Sequence, residues 1–320
     1  MCANKVTLGV VMDPVGSIKP YKDSTFAMLL EAQARDWEIH YMEQPDLYVR
    51  DGVAGARAQG IEVTDNNQSW YTLGDIRDIA LADLDVILMR KDPPFDMEYI
   101  YTTYILELAQ AAGTLIVNRT DSLRAVNEKA YTAWFPDCCP PTLIARSKKD
   151  LGQFLADNKK IVVKPLDGMG GRSVFVVDKK DINVNVIFET ITEEECRFVI
   201  AQRYIPEIFS EGDKRVLLVD GEPVPYALAR IPAAGDSRGN IAAGARFEGQ
   251  PLTEREQEIA RRVGPSMKEM GLLFVGLDVI GEYMTEINIT SPTCIRELDK
   301  AFDLNISALL FDAIEKRLTA

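Results

Sequence analysis

The 320-residue chain carries a single histidine. A histidine-rich metal centre is thereby excluded, and a Ser-His-Asp triad would have to rest on His40. His40 lies in Trp37–Met42, an alternating segment that reads as strand, so a hydrogen-bonded strand histidine is the plainer reading. Cysteines are few and odd in number (Cys2, Cys138, Cys139, Cys196 and Cys294), with no C-x-x-C pair. Neither a disulfide framework nor a thiolate zinc site follows, and free thiols point to a reducing, cytoplasmic compartment. No apolar run approaches the ~18 residues of a spanning helix. The run Val6–Met12 ends at Asp13, too soon for a signal peptide, and reads as a first strand. Basic residues are outnumbered by acidic ones, 36 to 49, for a net charge of −13. An acidic surface repels phosphate backbones, so neither nucleic acid nor membrane is an expected partner. Chemistry in such a chain falls to carboxylates, lysines, arginines and bound ions.

What is present suffices for a large core: 47% of residues are hydrophobic and 27% charged. Up to about residue 120, strands alternate with helices. Val6–Met12, Glu38–Met42, Asp85–Met89 and Thr114–Asn118 read as strands; Ser24–Arg35 and Met97–Ala112 read as helices, the second ending at Gly113. This α/β pattern predicts a parallel sheet with crossover helices. Residues near 50–77 have weak periodicity and read as loop with a short strand. Beyond residue 120 the pattern turns α+β. Hairpin signals stand at Asp167–Gly171, Asp220–Pro223 and Gly281–Met284. Helices are expected at Lys149–Asp157, Asn183–Glu194, Thr253–Met270 and Leu304–Arg317. Residues 232–250, rich in glycine and alanine, read as a long loop of functional character.

Three constellations could carry chemistry. Lys160–Phe175 reads K-I-V-V-K-P-L-D-G-M-G-G-R-S-V-F. Its glycines run into a strand and not into a helix, which excludes a dinucleotide fingerprint, and no Gly-Lys dipeptide exists to make a Walker A loop. The alternatives are a flap whose backbone N–H groups approach phosphate, with Lys164 adding a charge, or an ordinary glycine hairpin. Leu272–Ile289 reads L-L-F-V-G-L-D-V-I-G-E-Y-M-T-E-I-N-I. A turn centred near Glu282 sets Asp278 opposite Glu286, with Asn288 on the same face as Glu286. These oxygen ligands suit Mg²⁺; the alternative is a solvated polar face. Third come Lys214, Arg215, Arg230, Arg238 and Arg296, each more often a surface ion pair, together a plausible anion site. Lys129 alone reads as a helix-surface lysine.

A glycine flap between strands, a carboxylate–Asn hairpin and no histidine base together resemble the ATP-grasp ligases. The strings Met89–Asp96 (M-R-K-D-P-P-F-D), Gly212–Pro232, Thr285–Glu297 (T-E-I-N-I-T-S-P-T-C-I-R-E) and Lys164–Gly171 are similar to those of the bacterial glutathione synthetases, from about residue 6 to 318. The resemblance implies an ATP-grasp architecture behind an N-terminal parallel-sheet domain, divided as residues 1–122, 123–204 and 205–320. It implies an ADP-forming ligation of γ-glutamylcysteine to glycine through an acyl phosphate, in a homotetramer, with Mg²⁺ or Mn²⁺ as cofactor. Lys129, Lys164, Gly168, Gly170 and Gly171 would meet the ATP phosphates. Gln202, Tyr204 and Ile205 would line the adenine pocket, with Asp213 near the ribose. Asp278, Glu286 and Asn288 would hold the metal. Arg215, Arg230, Arg238 and Ser291 would hold the peptide and the developing anion, and the loop near 231–246 would close as a lid. Arg172 and Ala245 depart from the family pattern, which has a small residue and a glycine there. Rival expectations are an ATP-grasp ligase for another acid–amine pair and an ATP-sensing module without turnover; a nicotinamide oxidoreductase fits the glycines poorly.

Overall fold

In the computed structural model, which describes residues 5–232 and 246–319, the strands form three sheets. The first holds β1 (Thr7–Val11), β2 (Glu38–Met42), β3 (Leu47–Arg50), β4 (Val53–Val63), β5 (Tyr71–Ala80), β6 (Val86–Met89) and β7 (Leu115–Val117). Strand β1 is apolar and buried, and it pairs in parallel with β2 and β6; β7 extends the parallel part beyond β6. Helices α1 (Ser24–Ala34) and α2 (Met97–Ala111) are capped by Asp23 and Asp96, whose carboxylates accept from the N–H groups of Phe26 and Tyr99. A short α3 (Thr120–Ala125) follows β7. His40 lies on β2, its ring 3.3 Å from the Glu38 carboxylate.

The loop expected over residues 50–77 is instead a long antiparallel hairpin, β4–β5, so the first sheet is mixed. Strand β5 is exposed along most of its length. Only its ends touch the cores, through Tyr71, Leu73 and Ile79; Gly74–Asp78 are exposed in an unbroken run with no hydrophobic alternation to read, and their order rests on the backbone ladder to β4.

The second sheet is fully antiparallel, in the order β10-β9-β11-β8: β8 (Thr142–Ala145), β9 (Lys160–Pro165), β10 (Phe175–Asp178) and β11 (Val199–Arg203). Helices α4 (Lys148–Asn158) and α5 (Val184–Thr192) cover it, and Leu151, Leu155, Phe188 and Ile191 give it a core of its own. The third sheet holds β12 (Asp213–Val219), β13 (Glu222–Ile231), β14 (Arg246–Pro251), β15 (Phe274–Ile280) and β16 (Tyr283–Asn288), in the order β14-β13-β12-β15-β16. The end of the expected 232–250 loop is therefore strand β14, held by its ladder to β13. Residues 233–245, including Arg238 and Ala245, lie outside the described residues.

Helix α6 (Glu254–Glu269) starts at a Thr253–Glu256 capping box. Helices α7 (Ile295–Phe302) and α8 (Ile306–Leu318) follow. The first and third sheets share their hydrophobic cores: Phe26 and Trp37 join Leu310 and Phe311, for instance, while the second sheet stands apart. Asn118, just past β7, donates to the carbonyls of Phe274 and Ile289 and accepts from the Phe274 N–H. One buried amide thus ties the end of the first sheet to β15 and to the residue just past β16.

Candidate functional site

A cavity of about 420 Å³ opens where the three sheets meet, within the range of small-molecule sites. One wall is the β15–β16 hairpin. Asp278 stands opposite Glu286 and Gly276 opposite Asn288, the register that the spacing predicts. Glu286 and Asn288 share a face while Ile287, between them, is fully buried. The Asn288 amide nitrogen donates to the Gly276 carbonyl at 3.2 Å, which leaves its Oδ1 as an acceptor on the cavity wall.

Opposed carboxylates need compensating cations, and the neighbouring strands provide them as side chains. Arg215, directly across from Asp278 on β12, donates to it from Nε at 2.6 Å and from its terminal nitrogen at 3.2 Å. Arg230 on β13 lies 3.0 Å from the Asp278 carboxylate and donates to Asp213 at 2.6 Å. Gly276 makes room for this: a Cβ there would come within 2.9 Å of the Arg215 side chain. Lys129 donates to Glu286 at 2.8 Å. Far from being a surface lysine, Lys129 is buried at the start of a one-turn 3₁₀ helix, Ala130–Trp134. Asn127 holds that turn by accepting from the N–H groups of Lys129 and Ala130.

Burial and charge pull these groups in opposite directions. Burial works against the Lys129 ammonium and the Arg215 and Arg230 guanidinium groups, yet the facing carboxylates prevail and hold all three more firmly protonated. Asp278, despite its burial, is held well below the usual carboxylate range by Arg215 and Arg230. Asp213 goes the other way: burial pushes it to about 6, with Arg230 offsetting only part. Its Oδ1 is buried without a hydrogen-bond partner among the described residues. Burial lowers the Lys164 ammonium, and the Lys129 charge adds to this against the pull of Glu286.

The opposite wall is the β9–β10 turn. Gly170 and Gly171 have φ of +60° and +74°, where a side chain is strained. The turn is tied at its root. Asn127 donates to the Leu166 carbonyl at 3.1 Å, Lys129 to the Gly168 carbonyl at 2.6 Å, and Arg197 pairs with Asp167.

Lys129, Lys164, Gly168, Gly170, Gly171, Gln202, Tyr204, Ile205, Asp213, Arg215, Arg230, Asp278, Glu286, Asn288 and Ser291 all line this one cavity, and Arg172 does too. Others named from the sequence do not. Arg296 pairs with Asp65, and Lys214 turns away to Glu211 and Glu256. Arg238 lies outside the described residues. Glu128, Asp92 and Thr293 also line the cavity without having been singled out as site residues. Nothing in the local pattern around Glu128 separates it from a surface glutamate; only the tertiary fold brings it, half-buried, against the end of β16.

Two family models match the chain: prokaryotic glutathione synthetase, N-terminal domain, over residues 6–124, and prokaryotic glutathione synthetase, ATP-grasp domain, over residues 128–303. The chain belongs to the prokaryotic glutathione synthetase family. A glutathione synthetase of Yersinia pestis is 57% identical over 314 residues, 98% of each chain. The family's ATP-grasp fold recurs at low identity. D-cycloserine synthetase DcsG superposes with a TM-score of 0.69 at 15% identity, covering 98% of this chain and 99% of that one. The ATP-grasp ligase PsnB, solved with a minimal precursor, Mg and ADP, gives 0.64 at 14% identity, covering 98% of each chain.

Proposed function

We propose that this glutathione-forming, ATP-dependent ligase joins γ-glutamylcysteine to glycine, with release of ADP and phosphate, in the cavity between the β9–β10 turn and the β15–β16 hairpin. The observation that carries the reading is the convergence, on one cavity, of two lysines, two buried arginines, a glycine turn and a carboxylate–amide ledge. Such a site supports a reaction that needs positioning and charge neutralisation more than a protein nucleophile.

The ATP phosphates would lie under the turn, against its backbone N–H groups and the ammonium groups of Lys129 and Lys164. Adenine would pack between β9 and the Gln202–Ile205 segment, and the orphaned Asp213 Oδ1 would accept from a ribose hydroxyl. Arg215 and Arg230, with Ser291, would hold the peptide carboxylate and the anion that develops as phosphate is transferred to it; Arg238 would join them. Glycine's amine would then displace phosphate from the acyl phosphate. Closure of the loop near 231–246 would keep water from that intermediate. Residues 1–122, 123–204 and 205–320 would act as the three domains that meet at the cavity.

The residues fit a divalent cation. Asp278, Glu286 and the Asn288 Oδ1 are hard oxygen donors of the kind Mg²⁺ takes, and Mn²⁺ fits the same set. Among the described residues no three His, Cys, Asp or Glu side chains converge as a metal group; here the third donor is an amide. Asp278 spends three of its roughly four acceptor sites on guanidinium N–H groups, so Glu286 and Asn288 would be the principal ligands. A bound cation would supply further neutralisation of phosphate charge. The reading also carries a cytoplasmic homotetramer. The thiols of Cys138, Cys139, Cys196 and Cys294 are free, in keeping with a reducing compartment. No helix among the described residues is long and apolar enough to cross a membrane.

The test is ADP release measured across candidate acids and amines. The expected outcome is release that requires both γ-glutamylcysteine and glycine. Release indifferent to the peptide, or nucleotide binding without phosphate release for any pair, defeats the proposal.

A further inference from the structure

Strand β16 is the edge of the third sheet. The N–H groups on the outer side of an edge strand have no strand to pair with and must find other acceptors. One residue supplies them here. The Glu128 main-chain carbonyl accepts from the Ile287 N–H at 2.8 Å. Its side-chain Oε1 accepts from the Ile289 N–H at 2.8 Å, the Thr290 N–H at 3.0 Å and the Thr290 hydroxyl at 2.9 Å. These bonds grip the chain on both sides of Asn288. The next residue, Lys129, pairs with Glu286. A segment of two residues thus does what a neighbouring strand would do, and it holds the pleat that turns Glu286 and Asn288 to one face.

We propose that Glu128 is a positioning residue for the cation ledge, setting the outer edge of β16 so that the Glu286 carboxylate and the Asn288 Oδ1 present together. The proposal rests on the reading of Glu286 and Asn288 as divalent-cation donors. Three donors converge on a single oxygen, so the reach of the side chain matters more than its charge. Glutamine keeps that oxygen in place and loses the charge. Aspartate keeps the charge and stops one methylene short of the donors. Partners of this kind behind metal ligands typically change metal affinity by about 10–100-fold when lost.

The experiment compares the full-length wild-type chain with Glu128→Gln and Glu128→Asp. The readouts are Mn²⁺ affinity in the presence of ADP, from the electron paramagnetic resonance of free Mn²⁺, and separate kcat and KM values. E128Q is expected to stay within about threefold of wild type in Mn²⁺ affinity, while E128D weakens by about tenfold or more. E128D should also lower kcat more than it raises the KM for the peptide. A staple that served folding alone would lower the denaturation midpoint of E128D and leave the Mn²⁺ affinity of the folded enzyme unchanged; that result overturns the proposal. So does the reverse order, with E128Q the weaker binder. If wild type with ADP holds no Mn²⁺, the ledge reading itself fails and the proposal with it. Wild-type binding with an unchanged E128D defeats only the role given to Glu128.

Discussion

Across the cavity, β9–β10 and β15–β16 are both antiparallel hairpins, yet they offer opposite chemistry. In β15–β16 every residue of the first strand except Ile280 is buried, and polar side chains project from a backbone tied to the end of the first sheet by Asn118 and to the 127–129 segment by Glu128. In β9–β10 the turn is exposed over Met169 and Gly170, and what it offers is bare backbone, with Gly170 and Gly171 at positive φ. On the proposed reading, oxygen ligands on one wall would reach the polyanion through a cation, and backbone N–H groups on the other would donate to it directly. A ledge must fix distances between oxygen atoms. A flap must approach phosphate closely, and a Cβ would stand in the way.

The largest effect is expected on the ledge. Glu286→Gln should cut turnover by about 10³-fold or more while circular dichroism stays that of wild type, because it removes a carboxylate both from the ledge and from Lys129. Near-normal ADP release would break the contrast between the two walls. Arg230→Ala comes next and acts on stability as well. It leaves Asp213 without its ion-pair partner and strips one cation from Asp278, at a cost of about 3–5 kcal/mol that chemical denaturation would register. In the folded fraction, the KM for γ-glutamylcysteine should rise more than that for ATP. On the flap the effect is smaller. Gly171→Ala places a side chain at a φ of +74° and costs about 1 kcal/mol or somewhat more; a severalfold rise in the KM for ATP with unchanged peptide KM would show the wall acting on phosphate alone.

The smallest effect is a pH dependence. The Asp213 carboxyl is pushed up to about 6, above its unfolded value, so the folded chain binds that proton more tightly than the unfolded chain does. Ionised Asp213 therefore costs stability at pH 7, and the cost disappears as the pH falls through about 6 toward 4. Relative to Asp213→Asn, wild type should gain stability over that window. A constant difference between the two would show that Arg230 compensates Asp213 in full.

The ledge was legible because the apolar runs on either side of Gly281–Glu282 mark two strands, and alternation puts Glu286 and Asn288 on one face. Asp278 meets Glu286 through a register shift beside Val279: a strict ladder from that turn would set Asp278 opposite Thr285, so this pairing belongs to the folded hairpin. The β4–β5 hairpin was not legible: with Gly74–Asp78 of β5 exposed in one run, no burial pattern marks its middle. Lys129 shows the same limit at the site. Its neighbours Asn127 and Glu128 describe a polar turn in any context, and its burial comes from strands about 160 residues away in the sequence.

The sequence by itself determined the elements with strong periodicity, the glycine turn and the carboxylate hairpin, because each is decided by neighbours a few residues apart. The tertiary structure alone decided which cations neutralise which carboxylates. Arg215 meets Asp278 only because β12 lies beside β15, Lys129 meets Glu286 only because the 127–129 segment closes the edge of β16, and Arg296, equally basic, is sent to Asp65. The physical reason is that an ion pair depends on distance and burial. Both are set by how sheets pack, and neither is written in the spacing along the chain.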